Sequence, residues 1–136
     1  MTLDQKVWGP HYWFFLHTVA KNYPCQPNRS MKRKHYDLIM NMPVFLPHPE
    51  AKALFMKLLD KYPVTPYLDK GSDFRHWVHF IHNEVNKALG KGGISREYAK
   101  ELYMEHYEPK PYVIENSHSI YMIMVLIILV AIYIAL

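Results

Sequence analysis

Residues 77–91 read WVHFIHNEVNKALGK. Trp77, Val78, Ile81, Val85 and Leu89 recur at three- and four-residue steps, the spacing of one apolar face of a helix, and Gly90 with Gly92-Gly93 stops it. His82 and Asn86 lie four apart and Asn83 and Asn86 three apart, so an imidazole and two amides share one flank of that stripe. Read from periodicity alone, these polar groups are either solvated, or bonded to neighbouring helices, or turned toward a ligand.

This helix extends back to about Ser72, and further helices precede and follow it. Gly9-Pro10 opens the first, which runs through HYWFFLHTVAKN to Tyr23-Pro24, with proline suited to a first helical turn. Trp13, Leu16, Val19 and Ala20 form its inward face, with His17 adjoining. The turn CQPN leads to a second helix, SMKRKHYDLIMNM, capped by Asn28 or Ser30 and stopped by Pro43; Tyr36, Ile39 and Met40 supply its buried side. The third, HPEAKALFMKLLDKY, has Pro49 and Glu50 in its first turn and Leu54, Phe55, Leu58 and Leu59 inward. Ser95 caps a short fifth helix, REYAKELYMEHY. No strand alternation and no internal repeat occur, so the fold class is all-α: a four-helix bundle with a short fifth helix.

The tail is of another kind. From Ile120 to Leu136 the chain is an unbroken apolar run, IYMIMVLIILVAIYIAL. Extended back to Asn116 it covers about 25 to 30 Å as a helix, against a hydrocarbon core of about 30 Å. The expectation is one C-terminal transmembrane helix, which divides the chain into a helical domain over 1–109, a stalk over 110–119 and an anchor over 120–136. The start, MTLDQKVWGPHYWFF, lacks the basic region and cleavage site of a signal peptide. The expected location is therefore a membrane, single-pass, with the head on the cytosolic side.

The 16 Lys+Arg outnumber the 12 Asp+Glu by four, and every charged residue lies at or before Glu115. Part of the excess is Arg29, Lys32, Arg33 and Lys34, read as a solvated helix face. The aromatics fall at core-like spacings and no nucleic-acid motif accompanies them, so no nucleic-acid partner is expected. A single cysteine, Cys25, excludes an intrachain disulfide and any multi-cysteine zinc site. His76, His79 and His82 drift around the helix without a carboxylate or cysteine at ligand spacing, so no metal site is expected.

Two ordered strings then add to the periodicity. His82, Asn83, Val85, Asn86, Leu89 and Lys91 fit H-N-x-V-N-x-x-L-x-K. Trp13, Leu16, His17, Ala20, Tyr23 and Pro24 fit W-x-x-L-H-x-x-A followed by Y-P, with Gly9 ahead of them. On these residues the chain resembles the Erv/ALR sulfhydryl oxidases over about residues 8 to 107. The resemblance implies FAD held in a helical bundle, with Gly9, Trp13, His17 and Tyr23 on the first helix and its exit contributing to the cofactor site. It likewise implies Trp77, His82, Asn83, Val85, Asn86, Leu89 and Lys91 from the fourth, the lysine near the phosphates. Flat rings gain from stacking on aromatics, adenine edges match amides and imidazoles, and a cation suits a diphosphate.

The same resemblance exposes departures. The family's reaction uses P-C-x-x-C-x-x-H-F at the start of the third helix. With Pro47 and Phe55 aligned, His48 and Ala51 stand where the cysteines belong, and Leu54 replaces the histidine; Pro10 stands where an arginine is frequent. Catalytic residues are therefore absent at these degenerate positions. The implied function is a membrane-anchored, degenerate sulfhydryl oxidase homologue that binds FAD and acts as a structural or interaction module with a protein partner. The alternative is an active thiol oxidase that takes its thiols from a partner chain. The opening W-G-P-x-Y-W resembles small viral members of the family, which points to a viral membrane or virion, and family members commonly pair as homodimers through their first helices.

Overall fold

The computed structural model describes residues 3–108 and 117–135, and all of its regular structure there is helical: α1 (Gln5–Asn22), α2 (Arg29–Asn41), α3 (Pro49–Lys61), α4 (Gly71–Ala88), α5 (Arg96–Glu105) and α6 (Ser117–Ala135), with 3-10 turns at Met42–Phe45 and Thr65–Tyr67. The chain divides after His106 into two compact units. The first holds α1 to α5 and the second α6.

Side-chain caps set three of the starts. Asp4 accepts the Lys6 N–H at 2.8 Å, Asn28 accepts Met31 N–H at 2.9 Å, and Ser95 accepts Tyr98 N–H at 3.1 Å, each satisfying a donor that the first helical turn leaves open. The Asp4 cap places the start of α1 five residues before Pro10, which therefore lies inside the helix rather than opening it. Asn28, not Ser30, caps α2.

The core joins Leu16 and Ala20 of α1, Ile39 of α2, Phe55, Leu58 and Leu59 of α3, and Phe74, Trp77, Val78, Ile81 and Val85 of α4. Burial of that many large side chains, at roughly 25 cal/mol per Å² of apolar surface, holds the unit together. Tyr23 and Trp77 are buried with their polar ends bonded, Tyr23 Oη to Leu68 O at 2.9 Å and Trp77 Nε1 to Tyr62 O at 3.0 Å. On α2 only Ile39 is buried; Tyr36 and Met40 are exposed, and Met42, just past the helix end, takes the inward position. The basic run on α2 is partly neutralised at the surface by Lys32–Asp69 (2.7 Å) and Arg33–Asp37 (3.2 Å), pairs that contribute little to stability.

One glycine is fixed by packing. A Cβ on Gly71, at the first turn of α4, would lie 2.8 Å from Pro24 O and 2.9 Å from Tyr23 O. Both obstacles are backbone atoms of the α1 exit, so α4 or that turn must shift. Gly71→Ala is expected to destabilise by about 1 to 3 kcal/mol, which lowers the melting temperature by roughly 4 to 8 °C per kcal/mol. An unchanged thermal melt would show that the α1 exit yields freely.

The tail departs from its expected role. Among the described residues no helix is long and apolar enough to cross a membrane. The expected C-terminal transmembrane helix over Ile120 to Leu136, and the single-pass membrane location with a cytosolic-side head, are corrected accordingly. Helix α6 begins with Ser117-His118-Ser119, so the backward extension to Asn116 adds polar residues. From Ile120 to Ala135 an α-helix rises only roughly 24 Å, short of a hydrocarbon core of about 30 Å. Most of the stalk expected over 110–119 lies outside the described residues.

Candidate functional site

The pairing of α1 with α4, walled by α3 and α5, leaves a mostly apolar cavity of about 410 Å³, within the range of small-molecule sites. Gly9, Trp13 and His17 line it from α1; His82, Val85 and Asn86 line it from α4, followed by Leu89 and Lys91. Two residue strings more than sixty positions apart therefore meet in one space.

The flat groups at its centre are ordered against one another. Trp13 stacks on His82 with ring centroids 4.1 Å apart and planes 10° apart. His17 Nε2 and His82 Nδ1 are 3.0 Å apart, a bond that one neutral imidazole donates and the other accepts. Burial lowers the pKa of His17 to about 4, with His79 adding to the shift. Burial first, then His17, His79 and Lys91, lowers that of His82 to about 3. Near neutral pH the pair is uncharged and offers hydrogen-bonding edges rather than cations.

The other sequence candidates lie elsewhere. Tyr23 and Trp77 belong to the core described above and are not among the cavity's lining residues. Asn83 has its amide on the backbone of Ile94, accepting its N–H and donating to its carbonyl, both at 3.0 Å.

At the family's cysteine positions, His48 is the residue before α3 and its Nε2 donates to Leu3 O. Ala51 and Leu54 line the cavity. Ala51 and Leu54 also line an adjoining groove together with Asp4, His48 and Glu50. Cys25 is exposed, at the far end of α1 from Gly9.

Several wall residues are not among those assigned to the site from the sequence. Trp8 lines the cavity, and its Nε1 is buried without a hydrogen-bond partner, a donor that costs about 1 to 3 kcal/mol if left unsatisfied. Ala99, Leu102 and Tyr103 of α5, with His106 just past its end, close the cavity, and α5 is held to α1 by Phe14 stacked on Tyr103 at 5.2 Å and by Thr18 Oγ1 3.0 Å from Tyr103 Oη. Among the described residues no group of three or more His, Cys, Asp or Glu is arranged to hold a metal.

Comparison with known proteins follows the same residues. The model of the Erv1 / Alr family matches residues 10–107. The FAD-linked sulfhydryl oxidase of African swine fever virus (isolate Pig/Kenya/KEN-50/1950) is 34% identical over 96 residues, 71% of this chain and 79% of that one. The FAD-linked sulfhydryl oxidase ERV1 of Oryza sativa subsp. japonica is 32% identical over 89 residues, 65% of this chain and 45% of that one. Among solved structures, the FAD binding domain of Erv1 from Saccharomyces cerevisiae superposes with a TM-score of 0.68 over 78% of this chain and 99% of that one, at 23% identity, a likeness of fold. With the family model spanning the paired helices and the cavity between them, the chain belongs to the Erv1/Alr family.

Proposed function

We propose that this chain is an FAD-binding member of the Erv1/Alr family that has lost thiol oxidation and works as a structural or interaction module for a protein partner. The carrying observation is the contrast within one site: the ring-lined cavity keeps Trp13, His17, His82, Asn86 and Lys91, while positions 48 and 51 hold no thiol. The residues fit the cofactor. The Trp13–His82 stack presents flat faces, the neutral His17–His82 pair and Asn86 present edges for a heteroaromatic ring, and Lys91 supplies the charge a diphosphate needs. The buried Trp8 Nε1 has a donor to offer inside the cavity.

When bound, FAD supplies a two-electron acceptor. This chain's residues bind it, orient it and exclude water from one side, but offer no thiolate at the start of α3, where a helix N-terminus would activate one. A second reading, an oxidase of thiols brought by a partner chain, draws on the small side chain of Ala51, which lines both the cavity and the adjoining groove. Pairing of two copies through α1 is part of the proposal, because Val7 and Phe15 are apolar and exposed on that helix.

Purified chain is expected to carry yellow FAD absorbing near 450 nm. Replacing His82 and Asn86 together by Ala is expected to empty the site with helicity kept, since lost buried hydrogen bonds cost about 1 to 3 kcal/mol each while neither residue belongs to the core. A colourless wild-type chain that ignores added FAD sinks the cofactor reading. Oxygen uptake with added dithiol separates the two readings.

A further inference from the structure

We propose that Asn83 is a positioning residue that acts on the cavity by fixing residues 89–95 in place, not by touching the ligand; the proposal rests on the FAD reading above. A primary amide has two N–H donors and a carbonyl acceptor. Here Oδ1 accepts Ile94 N–H at 3.0 Å, and Nδ2 donates to Ile94 O at 3.0 Å while lying 3.2 Å from His79 Nε2. Both donors are thereby engaged within the chain. The paired bonds to one residue's N–H and C=O imitate the neighbour that a strand would supply.

What this clamp holds is a wall of the site. Past α4 the chain turns at Gly90, whose φ of +70° is left-handed and suits glycine. Lys91 N–H then donates to Asn86 O at 2.8 Å. The segment is thus tied at Lys91 by the end of α4 and at Ile94 by Asn83. Lys91 and Ile94 both line the cavity, and the next residue, Ser95, caps α5, which closes the same cavity. Helix α5 has no fully buried side chain and is held to α1 by the Tyr103 contacts described above. Of the two amides on this flank of α4, Asn86 lines the cavity and Asn83 anchors the strap that carries the cation.

The test uses the full chain with Asn83→Ala, Asn83→Asp, Lys91→Ala and the double variant N83A/K91A. Hydrogen exchange of residues 89–95 is read without ligand, and FAD affinity by titration. Asn83→Asp guards against misfolding, since it keeps the shape and the acceptor for Ile94 N–H and loses both donors. The expected result is exchange across 89–95 faster by about tenfold or more with that of α4 unchanged. FAD affinity is expected to fall about tenfold in N83A, and the loss in the double variant to be smaller than the product of the two single losses, because the segment that Asn83 fixes is the one that presents Lys91. Losses that multiply in the double variant, or unchanged exchange across 89–95, overturn the proposal. A wild-type chain that binds no FAD defeats the cofactor reading instead, and the exchange measurement then decides the clamp alone.

Discussion

Supplied with FAD and dithiothreitol, the wild-type chain is expected to consume oxygen no faster than free FAD does, and the double variant His48→Cys with Ala51→Cys on the order of a thousandfold faster. In the net reaction two thiols lose two electrons and two protons, a sulfur–sulfur bond forms, and dioxygen becomes hydrogen peroxide. A dithiol built into the start of α3 meets the acceptor as an intramolecular reactant, and such positioning accounts for roughly 7 to 11 kcal/mol of a barrier. His48 precedes the first turn of α3 and Ala51 lines the cavity, so cysteines there would combine a helix N-terminus, which lowers a thiol's pKa, with proximity to the site. His48 is instead engaged with Leu3 O and lies 5.8 Å from the Trp8 ring. Equal turnover by wild type and double variant would end the non-catalytic reading and favour thiols delivered from outside. If neither turns over although both bind FAD, the lesion extends to Leu54, where the resemblance implies a histidine.

The cavity residues that can be read from the sequence share a property: they sit on two long helices whose face is set by local periodicity. Trp13 and His17, four apart on α1, and His82 and Asn86, four apart on α4, point to one side wherever those helices go. The two polar strings leave the core faces that Leu16, Ala20, Ile81 and Val85 occupy, and packing those faces together brings the strings into one space. Trp8, Ile94 and the α5 wall are not legible, because their places depend on a cap at Asp4 and a clamp at Asn83. Each cap or clamp is a single side-chain choice with no period. Trp77 and Asn83 are placed differently. Both fall within the segment that carries the family's string, yet one is a core residue bonded to Tyr62 O and the other is spent on Ile94 O and N–H. The tail also misleads, since the span expected there reaches its length only by counting Ser117, His118 and Ser119, the polar first turn of α6.

Stability of the first unit is expected to fall as pH drops below about 6.5, more steeply than its carboxylates explain, and the excess to vanish when His17 and His82 are both replaced by Asn. An unfolded histidine titrates near 6.5, whereas burial, with the neighbouring imidazoles, holds His17 at about 4 and His82 at about 3 in the fold. Between these values the unfolded chain binds protons that the folded chain refuses, so the slope of unfolding free energy against pH is positive. Stability is therefore full above about 6.5, declines through the window from 6.5 to between 4 and 3, and has lost the whole contribution once the folded pKa values are passed. A tenfold change in proton affinity corresponds to about 1.4 kcal/mol, so over the full window the shifts correspond to roughly 3 kcal/mol for His17 and roughly 5 kcal/mol for His82; above pH 4 both folded rings stay neutral and their slopes add, while below it the 3.0 Å bond couples their protonation. The measurement is a denaturant midpoint taken from pH 7 to 5, above the range where carboxylates protonate, for wild type and for H17N/H82N. Asparagine keeps a donor and an acceptor in a neutral group of similar reach, so the variant should start less stable at pH 7 from imperfect packing against Trp13 and lose less on acidification. Parallel slopes in the two proteins would mean that the imidazoles take up protons in the folded state as readily as in the unfolded chain, and that the cavity admits water far more freely than the stacked Trp13 and His82 rings imply.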